Sequence, residues 1–480
     1  MIRLLALALL LFTPALAGCS VNPATGEQSF TGFMGPAEEA RVGREQHPLI
    51  VQAFGGAYSD RRIQDYVSRI GQSLTRVSEL PNLGFTFTVL DSPVVNAFAL
   101  PGGYVYVTRG LLALASDEAE LAGVLAHEIG HVTARHAAQR YSQQVVAGLG
   151  AAVVGAITGS DEVADTVSFS AAAVLQSYSR DQEFEADTLG IRYLGRAGYA
   201  VDAMSGFLAK LDRHSRLEAE LSGRAASDVD SSNIMATHPR TLDRVERAAA
   251  LAGSGEGRRE QDVYLRTIDG LLYGDDPDQG FVRGQSFIHP KLAVRFDVPP
   301  GFRLVNGVRQ VVAQNGAGSA IVFDSARADI MPMPDYIRTV WGGRLRLEEV
   351  EGIQINGLDA ATASTRIQTR RGPLDLRMVA IRVDAAIYRF LFLTPPQSTQ
   401  PLSIELRRTT YGFRRLTPAE VAASRPQRVQ VRVVQPGDTR ATLISLMPPE
   451  PGRDRRFEVM NGLSADTGLR IGSQVKVIAE

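Results

Sequence analysis

The spacing of apolar and polar positions changes several times along the chain. Ile63, Tyr66, Val67, Ile70 and Leu74 recur at the interval of one helix face, within a stretch of 37–80 that reads as helical. FTFTVL (85–90) alternates as a strand does, and YVYVT (104–108), after Pro101-Gly102-Gly103, predicts a second strand. Asp117, with Glu120 three residues on, has the form of a capping box and predicts a helix running to about Gln139. Further helical spacing covers 180–197, 202–222 and 240–252. GSGEGRRE (253–260) then reads as a linker, followed by a short helical piece at 261–272. From Phe287 to about Thr394 the pattern is one of strands and turns, with one helix near 333–347. Residues 418–426 form another linker, and 429–480 a small final module.

The N-terminus adds a compartment. Arg3, the apolar run at 4–12 and Leu16-Ala17-Gly18 before Cys19 form a secretory signal, too short for a membrane span of roughly 20 residues. LAGC also resembles the bacterial lipobox, which makes Cys19, the only cysteine, the expected lipidation point. With Ser at position 20, the Gram-negative lipoproteins it resembles imply the periplasmic face of the outer membrane. Residues 20–36, rich in Gly, Pro, Ser and Thr, read as a tether. A net charge of −1 argues against nucleic acid as a partner.

The candidate chemistry lies in ELAGVLAHEIGH (120–131). His127 and His131, four apart on a helix, project from one face about 6 Å apart at the backbone, a spacing that suits two nitrogens on one zinc. Glu128 is placed beside the open side of such a metal, as a base for a bound water. A third ligand at the metzincin position is excluded, since 134 and 137 are both Ala; His136 is assigned a structural or surface role. In SRDQEFEAD (179–187), Glu183 and Asp187 share a helix face, so Glu183 is a candidate ligand and Asp187 a candidate acceptor for a ligand histidine. On residue type alone, acidic helix positions are usually solvated.

NAFALPGGYVYVTRGLL (96–112), ELAGVLAHEIGH, the SR..E..AD pattern at 179–187 and THPRTLDR (237–244), in that order, resemble the HtpX/BepA/Oma-type zinc metallopeptidases, metallopeptidase family forty-eight. NPATGEQ (22–28) resembles its periplasmic lipoprotein branch. The resemblance implies one zinc ion, with Glu183 as third ligand and Glu128 as general base. It also brings His238 near the metal together with Arg244. His238 would gate the zinc or donate to the oxyanion; the plain alternative is that it only caps a helix. The strand at 97–103 would line the cleft and pair with an extended substrate. The small-residue stretch 145–176 is either a cover over the site or a packed hairpin.

At the far end, VVQPGDTRATLISLM (433–447), MNGL (460–463) and LRIGSQVKVI (469–478) resemble a degenerate LysM module, with 448–456 as an insertion. FDVPPGF (296–302) resembles PsbP- or Mog-type α+β folds. The expected organisation is multidomain. It comprises a signal (1–18), a lipidated tether and N-terminal segment (19–45), and a mainly α-helical zincin-type (gluzincin) protease domain with a small β-sheet (46–252). A linker (253–286), an α+β domain (287–417) and a LysM-like βααβ module (428–480) follow. The expected function is a zinc endopeptidase cutting misfolded or misassembled envelope proteins. The rival readings are a chaperone-like or peptidoglycan-binding lipoprotein with an autoinhibited zinc site, and an enzyme cutting peptidoglycan peptides.

Overall fold

The computed structural model describes residues 19–146, 177–223, 238, 242–252, 255–327, 330–370, 372–464 and 467–480. The leader at 1–18 and nearly all of 145–176 lie outside the described residues. The chain forms two compact units, Met1–Tyr273 with Arg428–Ala479, and Gly274–Gln427.

The first unit opens on a hairpin, β1 (Cys19–Val21) antiparallel to β2 (Gln28–Phe30). This corrects the reading of 20–36 as a tether: Asn22, Ala24, Thr31 and Met34 are all buried. Glycine, proline and threonine here build a tight turn, closed by Gly26 N donating to Asn22 O at 2.8 Å. The helical stretch at 37–80 divides into α1 (Pro36–Ala53) and α2 (Arg61–Thr75). Gly55 and Gly56, both at positive φ, stop α1, and the Asp60 carboxylate caps α2 by accepting from Arg62 N and Ile63 N. Ile63, Tyr66, Val67, Ile70 and Leu74 all face inward, as their spacing requires.

Strands β3 (Thr86–Leu90), β4 (Ala97–Leu100) and β5 (Tyr104–Thr108) form a sheet in the order β3-β5-β4, with β3 and β5 parallel and β4 an antiparallel edge. After α3 (Arg109–Leu114) comes α4 (Glu118–Thr133), apolar on most faces and buried along nearly its whole length. Asp117 caps it by accepting from Glu120 N. The reciprocal half of the box is absent: the Glu120 carboxylate accepts from Ser116 N at 2.7 Å and holds Lys210 Nζ. The helix also ends earlier than its sequence predicts. Arg135 adopts φ 58°, and a new helical run occupies 136–146. The Arg135 side chain pins that turn by donating to Met34 O, Ser20 Oγ and Glu39. Helices α5 (Arg180–Arg196), α6 (Ala203–Leu221), α7 (Leu242–Ala252) and α8 (Gln261–Ile268) complete this part.

The second unit is α+β. Strands β6 (Phe281–Arg283), β7 (Ser286–His289) and β8 (Val294–Asp297) join β16 (Arg414–Arg415) in a four-stranded sheet. A seven-stranded antiparallel sheet runs β12-β13-β14-β15-β11-β10-β9. It is built from β9 (Arg303–Asn306), β10 (Val311–Gln314), β11 (Ala320–Arg327), β12 (Glu348–Ile355), β13 (Leu358–Thr369), β14 (Gly372–Val383) and β15 (Ala386–Thr394). The helix expected near 333–347 is a short turn, Met333–Asp335, running into a π-helix, Tyr336–Trp341. A long helix, α9 (Pro396–Gly412), was not foreseen because Pro401 lies inside it.

The chain then returns to the first unit. β17 (Arg428–Val433), α10 (Arg440–Ser445), α11 (Arg453–Met460) and β18 (Gln474–Ala479) follow the order strand–helix–helix–strand. Residues 453–456, part of the expected insertion, begin α11. This segment does not stand as a separate body: Val429, Leu443, Phe457, Val475 and Val477 share one core with Leu112, Leu121 and Tyr264. Lys476 crosses into that core and donates to the carbonyls of Ala113, Leu114 and Ala115, satisfying the open end of α3.

Candidate metal centre

Two helices set the site. α4 carries His127, Glu128 and His131; α5 carries Glu183 and Asp187, after Ser179 and Gln182 close a reciprocal capping box at its start. The helices approach so closely that a side chain larger than hydrogen would be tight at two contact points, both occupied by glycine. A Cβ at Gly130 would lie 3.1 Å from the Ala186 carbonyl oxygen, and one at Gly190 3.1 Å from His127 N. That approach carries the Glu183 carboxylate under the two imidazoles.

His127 Nε2 and His131 Nε2 are 3.0 Å apart, and each lies 3.5 Å from an oxygen of Glu183. His238 Nδ1 completes the group, 3.2 Å from His127 Nε2 and 2.9 Å from Glu183 Oε1. All four side chains are buried, and one ligand atom from each lies within 4.8 Å of the others. Donors held ~2.0–2.1 Å from a tetrahedral zinc stand roughly 3.3 Å from one another. The observed spacings are those of four donors converging on one ion.

The chemistry of the donor set fits a divalent cation. Glu128, Glu183 and Asp187 bring three carboxylates into the buried site around the guanidinium of Arg244, a donor set that suits a divalent cation. Both oxygens of Glu128 are buried without a hydrogen-bond partner among the described residues. Burial holds His131 well below the ordinary histidine range, the neutral form a ligand needs. For His127 burial acts in the same direction, but Asp187 and Glu183 outweigh it and push the ring up to about 10, so a bound cation would displace that proton. Burial opposes ionisation of Glu183, yet His238 and Arg244 outweigh it and hold the carboxyl well below its usual range.

The ligands are themselves held. Asp187 Oδ1 lies 2.9 Å from His127 Nδ1, and Arg244 grips both oxygens of Asp187 at 2.8 Å while reaching Glu183 Oε2 at 2.7 Å. Tyr178 stacks on the His131 ring, with centroids 3.9 Å apart and planes at 18°. Ala99, Leu100 and Pro101, from the end of β4, line a cleft shared with His131 and Tyr178. Cys19 is exposed on β1 and is not among these donors.

Three contributors escaped the sequence. His136 is fully buried, with Nδ1 2.8 Å from His131 Nδ1, because the left-handed turn at Arg135 swings it off the face that continuous helix geometry would give. Glu185 and Tyr178 were legible only as an acidic neighbour of Glu183 and an aromatic before the capping serine. His47, by contrast, bonds Tyr106 Oη through Nδ1 at 2.7 Å and takes no part.

Two imidazoles one helical turn apart, a carboxylate from a second helix and an unpartnered glutamate beside them define an HExxH metallopeptidase site. Residues 61–252 match the family model described as Peptidase family M48, and the chain carries a domain of that family. The putative beta-barrel assembly-enhancing protease of Vibrio cholerae is 33% identical over 180 residues, covering 36% of each chain. The beta-barrel assembly-enhancing protease of Yersinia pestis is 30% identical over 233 residues, 45% of this chain and 48% of that one. The mitochondrial metalloendopeptidase OMA1 of Schizosaccharomyces pombe is 27% identical over 238 residues, 48% and 66%. The matches thus span about a third to two thirds of these relatives' own lengths. Among solved structures, cyanobacterial PsbP from Synechocystis aligns at 13% identity and a TM-score of 0.24, over 28% of this chain and 98% of that one.

Proposed function

We propose that the chain is a zinc-dependent endopeptidase of the bacterial envelope acting on misfolded or misassembled proteins, with His127, His131 and Glu183 as the metal ligands. The observation that carries this reading is the buried convergence of those three donors beside a glutamate whose oxygens have no partner among the described residues. Zinc held there would supply a Lewis acid that acidifies a water and polarises the scissile carbonyl. Burial pushes the Glu128 carboxyl up, which suits a base that takes a proton from the attacking water and returns it to the leaving amine. Asp187 and Arg244 fix the His127 ring and the Glu183 carboxylate in place. An extended chain pairing with the outer edge of β4 would lie along the cleft by backbone bonds, a mode tolerant of sequence.

His238 sits where a substrate carbonyl or water would need to be, with Nδ1 in the donor cluster and Nε2 3.4 Å from Glu128 Oε1. That placement supports a closed resting state in which His238 must leave before turnover. The names of the Vibrio and Yersinia relatives support beta-barrel assembly as the setting, and LAGC supports a lipid anchor at Cys19 on the periplasmic face of the outer membrane. Among the described residues no helix is long and apolar enough to cross a membrane. Peptidoglycan binding by 428–480 remains a proposal resting on the GDT and NGL segments alone. The test is proteolysis of an unfolded protein and of muropeptides by wild type and Glu128→Gln. Cleavage of the protein by wild type only supports the reading; equal activity of both overturns it.

A further inference from the structure

The NPATGEQ segment has no part in the chemistry above, yet it reaches the metal site. Asn22 is 4% exposed and uses both halves of its amide. Its Oδ1 accepts from Ala24 N at 2.9 Å, closing an Asx turn that fixes which way the side chain points. Its Nδ2 therefore faces outward from the turn and donates to Glu185 Oε1 at 2.7 Å. The other carboxylate oxygen, Oε2, lies 3.3 Å from His136 Nε2, the loosest step of the series. His136 Nδ1 meets His131 Nδ1 at 2.8 Å.

The directions of these bonds follow from the metal. His131 faces the donor cluster through Nε2, so its Nδ1 carries the proton and donates. His136 must then offer a lone pair at Nδ1 and hold its proton at Nε2, toward Glu185. The Glu185 carboxylate faces that nitrogen across 3.3 Å, an electrostatic contact rather than an aligned hydrogen bond, and its other oxygen takes the Asn22 N–H. Each group has one role that leaves no proton misplaced. Asp187 does the same for His127 in one step; His131 needs an imidazole in between and finishes on the N-terminal hairpin. A second tie joins the same parts, since Arg135, in the turn that places His136, donates to Ser20 Oγ at 2.9 Å.

We infer that Asn22 is a positioning residue of the metal site, fixing the tautomer and orientation of His131 through Glu185 and His136. This rests on the assignment of His131 as a ligand. The hairpin at 19–30 is on this account a working part of the peptidase domain, with Asn22 three residues beyond the proposed lipid anchor at Cys19.

The experiment is zinc affinity by chelator competition on the whole chain, with the visible spectrum of the cobalt(II)-substituted protein as a second readout. Asn22→Asp keeps the Asx turn but replaces the donor with a carboxylate against Glu185, and affinity should fall about tenfold with an altered cobalt spectrum. Adding Glu185→Gln exchanges donor and acceptor, since the glutamine can donate to the new carboxylate in the turn while its oxygen faces His136, and should recover affinity to within about threefold of wild type. Unchanged affinity in Asn22→Asp, or no recovery in the double variant, overturns the inference. If Asn22→Asp does not fold, Glu185→Gln alone should lower zinc affinity with the fold intact by circular dichroism, and unchanged affinity there overturns it as well. A wild type that binds no zinc would bring down the ligand assignment itself, and the relay with it.

Discussion

Lys210 offers the sharpest test of how the zinc helix is held. Its side chain is 2% exposed, and its ammonium touches Glu120 Oε1 at 2.7 Å, Glu120 Oε2 at 2.5 Å and Ser116 Oγ at 2.5 Å. The pair joins α6 to the first turn of α4, seven residues before His127. Lys210→Met would leave the Glu120 carboxylate buried without its counter-charge, a loss of about 3–5 kcal/mol. At ~1.4 kcal/mol per decade that is roughly two to nearly four orders of magnitude in the opening equilibrium. Hydrogen exchange of the α4 amides reads this directly, and it is preferable to tryptophan fluorescence because the single tryptophan, Trp341, belongs to the other unit. Lys210→Met combined with Glu120→Gln removes both charges while keeping an acceptor for Ser116 N, so most of the protection should return. Less than a fivefold change in the single variant would refute the reasoning.

Other expectations follow from the same geometry. Phe457→Ala should destabilise the first unit by about 3–5 kcal/mol, because Phe457 is fully buried in the core shared with the peptidase helices; a melt of 428–480 separate from that of the zinc helix would contradict it. His238→Ala should weaken zinc retention in dialysis yet raise the initial rate on an unfolded substrate, and a lower rate at saturating zinc would speak against a gating role. Burial opposes ionisation of Asp187, but Arg244 outweighs it and holds its carboxyl below the ordinary aspartate range, with Glu183 also held low. Depressed carboxyls contribute stability above the unfolded value, about 4, that is lost as pH falls through the folded value. Acid titration of the apo protein should therefore show the loss below about pH 4, and Asp187→Asn should flatten it. Because burial raises Glu128, kcat/KM should climb with pH along a limb above the ordinary glutamate range.

Where chemistry depended on neighbours in sequence, it could be read in advance. His127, Glu128 and His131 lie on one helix, and a four-residue interval alone sets the common face of the two histidines. Glu183 was a candidate by helix face and a ligand only by resemblance, since nothing local says which acidic residue will be buried against which imidazole. His136 escaped because a left-handed Arg135 interrupts a pattern that continues as helix on paper. The hairpin at 19–30 was misread for the opposite reason: Gly, Pro and Thr signal both loose tethers and tight turns, and only Asn22 finding Glu185 distinguishes them. The apolar residues of 428–480 announced a core without saying whose, and Lys476 capping α3 shows that it is the peptidase's.

The central claim is a zinc ion shared by three named side chains. Diffraction data from zinc-loaded crystals, collected on both sides of the zinc absorption edge, test it most directly. The account predicts one anomalous peak roughly 2.0–2.2 Å from His127 Nε2, His131 Nε2 and a Glu183 oxygen. A peak bonded elsewhere, or none between those residues at full zinc loading, would contradict it.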